Sequence, residues 1–387
     1  MSAPKKIFLI AGENSGDQPA GRLVREILRL RPDWQLAGLG GPQMENAGML
    51  LLRNMIHDLA IVGLVEVITK APQIIQVYRM VKRYLIAERP DVVILIDYPG
   101  FNLKLVAPLA HKLGIRVIYY IVPTFWAWDY ARVYKLKEYC DRIFPVFPFE
   151  EELLRKEGIN AKYLGSKDLD QIVLTQTREQ IFERFKLDPN KKLVGLLPGS
   201  RRREVNTLLP IMLEAAERLA AVRDDVQFIL PRAATIPLDL IDTYLSQYDV
   251  AVKVIDDNRL NTRAAMDFSW VASGTAATEG SLIGIPFVIV YKLNYMTYWI
   301  AKRLINTPYA GIPNIVAGEM VVPELLQEQA TGLNLAEHAQ HYLDDEKAYQ
   351  NMKYQLRKIR EKFGEPGSAK RLAAAVVEFL EKKKGKA

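Results

Sequence analysis

Two successive α/β domains, each a doubly wound, Rossmann-like parallel sheet, are what the sequence predicts, and three observations carry the prediction. Short Val/Ile/Leu runs alternate with helical patterns, the alternation pauses once and restarts, and 387 residues are more than one core usually holds. Continuous apolar strands separated by helices imply a parallel sheet covered on both faces. Hydrophobic residues at 49% and charged residues at 25% supply a large core and exclude a disordered chain.

In the first half, Lys6 to Ala11, Leu36 to Leu39, Val92 to Ile96, Val117 to Ile121 and Arg142 to Val146 read as strands, with helices such as Ala20 to Arg31 and Leu103 to Leu113 between them. The opening apolar run reaches Glu13 too soon for a signal peptide, so it reads as a first strand. After Tyr163-Leu164-Gly165 the rhythm resumes with Leu193 to Leu197, Val226 to Leu230, Val250 to Val254, Phe268 to Ala272 and Phe287 to Tyr291. Polar residues and the Asp188-Pro189-Asn190 turn place the linker between Gly165 and Asn190. The expected division is 1–165, 166–367 and a last helix from Ser368, whose Ala/Val/Leu/Phe stripe suits packing back on the first domain. No sequence repeat or low-complexity tract stands out. Ligands of such folds bind beyond the carboxyl ends of the strands, so a cleft between the two domains is the expected site.

Two loops of the second half carry a phosphate-and-sugar signature. Gly195 to Glu204 is an apolar strand running into Gly199-Ser200 and three arginines before a helix. A helix start offers free N–H groups, Gly199 allows close approach to an anion, and Arg201 supplies paired donors. An ordinary turn with solvated arginines is the competing reading, since the P-loop pattern is absent. Residues 268 to 284 repeat the arrangement, with Ser273-Gly274-Thr275 as the turn. Glu279 lies one helical turn past Thr275, placed to accept hydrogen bonds from ribose hydroxyls, unless Thr275 is a plain cap. Both loops point to a nucleotide or nucleotide sugar.

Three further loops follow strand ends. Gly12-Glu13-Asn14-Ser15-Gly16-Asp17 is a candidate phosphate or sugar loop, although a Ser or Asp helix cap explains half of it. Asp97, at the end of a buried strand and before Tyr98-Pro99-Gly100, is the candidate general base. Partial desolvation there raises a carboxylate pKa toward the range useful for taking a proton from a hydroxyl. Phe125, Trp126 and Trp128 suit stacking on sugars, lining an acyl channel, or core packing, and Asn314 is a loop amide within reach of a phosphate or sugar hydroxyl, or else a turn former.

The net charge of +7 favours an anionic partner. Residues 59 to 68 are apolar nearly all round, and the helix after Pro72 sets Arg79, Lys82 and Arg83 among Ile74, Ile75, Val77, Met80 and Val81. Tyr295, Tyr298, Trp299, Lys302 and Arg303 repeat the mixture. Such surfaces suit an anionic lipid surface, and core helices with solvated basic faces fit the same pattern. No nucleic-acid-binding module accompanies the charge, so nucleic acid is not an expected partner. The lone Cys140 has no partner for a disulfide and no metal-ligand cluster around it, and reads as inert packing in a reducing compartment.

Taken together, Ala11 to Asp17, Gly-Gly-Pro-x-Met at 40–44, Val-Gly-Leu-Val-Glu-Val at 62–67, Asp-Tyr-Pro-Gly-Phe-Asn at 97–102, Trp-Ala-Trp at 126–128, Leu-Pro-Gly-Ser-Arg at 197–201, Ala-Ser-Gly-Thr-Ala at 272–276 and Pro-Asn at 313–314 resemble the lipid-A-disaccharide synthase family over nearly the whole chain. The resemblance implies a GT-B fold, two Rossmann-like domains facing across a cleft. It implies an inverting glycosyltransferase in the cytoplasm, peripherally associated with the inner membrane of a Gram-negative bacterium. The reaction joins UDP-2,3-diacylglucosamine to 2,3-diacylglucosamine 1-phosphate, forming a β-1,6 disaccharide and releasing UDP. By position, Asp97 matches the family's base, Ser200 and Arg201 its diphosphate contacts, Glu279 its nucleotide-sugar contact, Asn314 another donor-side group, and Glu13, Ser15, Gly16 and Asp17 its cleft loop. No metal or other cofactor is implied, because helix dipoles and Arg201 would meet the charge developing on UDP. A homodimer is an assembly to test.

One departure stands out. Where the family usually has Gly-His-Pro, the chain reads Gly165-Ser166-Lys167-Asp168, with Asp170 keeping its place, which predicts a looser hinge. Two competing readings follow: an isomerase like UDP-N-acetylglucosamine 2-epimerase, and a non-catalytic relative that binds UDP or lipid.

Overall fold

The computed structural model describes residues 4–55, 71–257, 260–292 and 307–382. The chain forms two compact units, 1–170 with 365–387, and 171–364. The expected boundary at 165 falls inside the first unit, because Asp170 bonds to residues 367–369 there.

Among the described residues the first unit holds six parallel strands, β1 (Lys6–Ala11), β2 (Gln35–Gly40), β3 (Leu50–Asn54), β4 (Val92–Ile96), β5 (Arg116–Tyr120) and β6 (Arg142–Phe144), in the order β3-β2-β1-β4-β5-β6. β4 is buried at every position, as a central strand covered on both faces must be. The helices Asn14–Leu30 and Ser368–Glu381 pack on this sheet, the second contributing Leu372, Ala373, Val376 and Leu380 to the same core as Ile7, Leu9 and Ile94.

The second unit repeats the plan with β7 (Lys192–Leu197), β8 (Val226–Pro231), β9 (Val252–Ile255), β10 (Phe268–Ala272), β11 (Phe287–Tyr291) and β12 (Glu324–Leu326), ordered β12-β11-β10-β7-β8-β9. Read from the first strand of each unit, both sheets have the order 3-2-1-4-5-6. The direction of winding reverses between β1 and β4 in one and between β7 and β10 in the other. Such switch points leave a crevice at the carboxyl ends of the strands, which is where a fold of this kind accepts a ligand.

Some expectations need correction. β3 and β12 were not foreseen; both are short edge strands, and Leu-Leu-Leu-Arg-Asn and Glu-Leu-Leu lack the long apolar run of a central strand. The helix expected from Leu103 begins as a π-helical turn, Asn102–Val106, with Lys104 N–H bonded to Pro99 O and Val106 N–H to Phe101 O. On the helix Ala71–Glu88, Val77 and Val81 are core rather than membrane-facing, while Arg79, Lys82 and Arg83 are exposed with Ile75. Residues 59 to 68, and Tyr295, Tyr298, Trp299, Lys302 and Arg303, lie outside the described residues. No helix among the described residues is long and apolar enough to cross a membrane.

Candidate active site

At the switch point of the second unit the loops after β7 and β10 meet around a cavity of about 340 Å³. It is lined by Gly199, Ser200, Arg201, Glu204, Gly274, Thr275, Arg263 and Glu279, among others. That volume suits a small ligand. Five of the six donor-side residues expected from the sequence, Ser200, Arg201, Gly274, Thr275 and Glu279, are therefore brought together.

The backbone shows why these loops need glycine. Gly199 has φ +106° and Gly274 φ +140°, both costly for a side-chain-bearing residue, and each turns the chain so that the following helix starts at the cavity. The helix Arg202–Val222 is long and carries the apolar face Val205, Leu208, Leu209, Met212 and Leu213, so its amino terminus is held rigidly by the core. Thr235 Oγ1 donates to Ser200 O at 2.7 Å and fixes the loop from the far side. Gly274, not Thr275, is the cap of the second helix, and no side-chain cap bond forms there, so the hydroxyl of Thr275 is not explained as a cap.

Glu279 accepts from Arg263 Nη1, and this pair lines the cavity with both side chains largely buried. Arg263 was missed by sequence reasoning. It lies 16 residues before Glu279 on a different helix, and no local pattern marks such a pair.

Asn314 is a correction. Its side chain is fully buried: Nδ2 donates to Val322 O and Glu324 Oε1, and Oδ1 accepts from the N–H of Val321 and of Val322. The amide's four bonding positions are taken by its own turn, and it does not reach the cavity.

In the first unit, Glu13 and Asp97 follow the two strands of the switch point, β1 and β4. Glu13 and Ser15 are exposed, and the Glu13 charge acts on the Tyr98 phenol. Gly12 lies flat against the Tyr98 ring, where an added Cβ would come within 2.3 Å. Gly16 is buried, its Cβ position 3.5 Å from Ala11 Cβ and Ile96 Cγ2. Asp17 is a second correction. It is buried and accepts from the N–H of Gly41, Gln43 and Met44, which pins the Gly-Gly-Pro turn instead of offering a ligand contact.

Asp97 has φ +48° and Tyr98 φ +50°, consecutive left-handed residues. Asp97 N–H donates to Tyr120 O at 3.0 Å, while its carbonyl accepts from Asn102 Nδ2 at 2.9 Å and Tyr119 Oη at 2.8 Å. Burial raises the pKa of the Asp97 carboxyl, and the Tyr98 N–H, the Lys167 ammonium and the Arg132 guanidinium oppose that rise. Lys167 belongs to the segment that departs from the family pattern. It bridges to Asp168 at 2.6 Å, and Ser166 Oγ accepts the N–H groups of Asp168 and Leu169. The segment is closed by its own hydrogen bonds.

Phe125 and Trp126 of the aromatic loop are core. Phe125 is fully buried, and Trp126 donates from Nε1 to the buried Glu150 at 3.0 Å. Burial pushes the Glu150 carboxyl up to about 7 despite the donors around it, and burial likewise raises the Cys140 thiol, which fits an inert cysteine.

Solved structures share this architecture. UDP-GlcNAc 2-epimerase from Neisseria meningitidis, bound to UDP-GlcNAc, superposes with a TM-score of 0.61 at 13% identity, covering 98% of this chain and 99% of that one. The calicheamicin glycosyltransferase CalG4 gives 0.63 at 13% identity, over 99% and 100%. These likenesses establish the class: a two-domain α/β protein of the GT-B fold. The sequence goes further. A family model described as lipid-A-disaccharide synthetase matches residues 7–377. Lipid-A-disaccharide synthase from Geobacter metallireducens is 40% identical over 380 residues, 98% of each chain, and that from Nitrosococcus oceani is 38% identical over 98% and 97%. The chain belongs to the lipid-A-disaccharide synthase family of glycosyltransferases. Its 2-epimerase-like neighbours share the fold alone, so the isomerase reading has no independent support.

Proposed function

We propose that the enzyme joins UDP-2,3-diacylglucosamine to 2,3-diacylglucosamine 1-phosphate with inversion, forming the β-1,6 disaccharide and releasing UDP. The cavity at the second unit's switch point carries this reading, because its two glycine turns, two helix starts and Arg201 converge where a diphosphate would sit. In it, Glu279 held by Arg263 accepts ribose hydroxyls, and Ser200 and Arg201 hold the diphosphate. Asp97 takes the proton of the acceptor's 6-hydroxyl as that oxygen attacks the anomeric carbon. The bond to UDP breaks, and its electrons leave on the β-phosphate, where the helix start and Arg201 meet the charge. Glu13 and Ser15, exposed beside the Asp97 loop, are the acceptor-side contacts of this reading. Docking at an anionic lipid surface through the basic face of Ala71–Glu88 would bring in the acylated substrates.

Mixing the sugar nucleotide with the lipid acceptor should release UDP in step with disaccharide. An epimer, or binding without product, would reject the proposal. Asp97→Ala should lower turnover by a factor of about 10² or more while UDP affinity is kept. Unchanged turnover would remove Asp97 from the mechanism.

A further inference from the structure

One carboxylate engages the donors assigned above to the diphosphate. Glu204 Oε2 accepts the N–H of Ser200 and of Arg201, each at 3.2 Å, and Oε1 accepts from Arg201 Nη1 at 2.7 Å. The same group fills the space that Gly199 leaves open, since a Cβ there would come within 2.3 Å of Glu204 Oε2. Glu204 also lines the cavity. A capping box accounts for part of this, because an acidic residue at the third helical position reaches back to the cap N–H. It does not require the second amide or the guanidinium. Two convergent N–H groups plus an arginine are the set a phosphate oxygen recruits.

We propose that Glu204 is an internal stand-in for the donor's phosphate, displaced when the nucleotide binds, and so the residue that sets how tightly UDP is held and how readily it leaves. The inference rests on the cavity being the UDP site. Phosphate and carboxylate cannot share these donors, because both are anions and each bond given to one is lost to the other. The Arg201 side chain is 73% exposed, so its pair with Glu204 is weak enough for a diphosphate to break. Whatever Glu204 gains from the donors is subtracted from UDP affinity. That favours product release, a step that often limits turnover.

The experiment titrates UDP, and uridine as a phosphate-free probe, into the full-length protein and its Glu204→Gln and Arg201→Ala variants. Glutamine keeps an oxygen for the cap amide, and a thermal melt checks that the fold is retained. Glu204→Gln is expected to bind UDP roughly three- to tenfold more tightly with uridine affinity unchanged. Unchanged or weaker UDP binding in Glu204→Gln overturns the proposal and leaves Glu204 as a cap alone. So does an equal gain for UDP and uridine. A protein that does not bind UDP, or whose UDP affinity ignores Arg201→Ala, overturns the site reading first and this inference with it.

Discussion

Asp97, Tyr98 and Ile121 all have positive φ and all lie just past β4 or β5 in the first unit. Aspartate tolerates the left-handed region; a β-branched isoleucine there is a genuine outlier. The strain is held by Asp97 N–H on Tyr120 O and by Ile121 N–H on Phe144 O, and Asn102 Nδ2 also ties Ile96 O to the Asp97 carbonyl. Strained backbone that its surroundings over-determine tends to mark a working site. The sequence shows an aspartate after a strand, but no periodicity or turn motif foretells two left-handed residues in succession. A pH dependence follows. The base must be deprotonated, and burial raises the Asp97 pKa, so kcat/KM should fall as pH drops, with its acid limb centred above the ordinary value of about 4. Lys167 and Arg132 hold that limb down, so Lys167→Met should move it to higher pH. A limb that stays in place would show that Lys167 does not act on the base.

At the scale of elements, the central strands and the edge strands β6 and β9 were legible, but the edge strands β3 and β12 were not. β1, β4, β10 and β11 were read to the residue because their apolar runs are continuous, whereas β3 and β12 depend on a neighbour to pair with. Loop glycines were legible as conformational demands. The partners of Asp17, Asn314 and Glu279 were not, because each bond joins residues that only the fold brings together. Asp170 is a further case. It accepts from Gly367 N–H, Ser368 N–H, Ser368 Oγ and Ala369 N–H, so it caps the helix Ser368–Glu381 from a segment almost 200 residues earlier. Arg371 ties the same corner by donating to the carbonyls of Leu164, Pro366 and Glu365. Asp170→Ala should cost roughly 2 kcal/mol, the sum of a lost cap and stranded donors. It should also raise hydrogen exchange across 368–381. A denaturation midpoint and exchange pattern equal to those of the parent would show that the cap contributes nothing.

At the scale of the molecule, the two units share one strand order but not one kind of chain path. Residues 171–364 are continuous and enclose their own core, with Trp270, Phe228 and Leu208 among its members. The first unit is discontinuous and borrows Leu372, Ala373, Val376 and Leu380 from the last helix. Every cavity residue named for the nucleotide lies in the continuous unit. A fragment of residues 171–364 should therefore fold alone and bind UDP, with Arg201→Ala weakening the binding. Removing 365–387 from the full chain should destabilise the first unit by roughly 5 kcal/mol or more, given the apolar surface that helix buries. The second unit's UDP affinity should then stand nearly unchanged. An unfolded fragment, or a truncation that abolishes UDP binding while leaving the first unit's melting intact, would show that the nucleotide site depends on more of the chain than its own sheet.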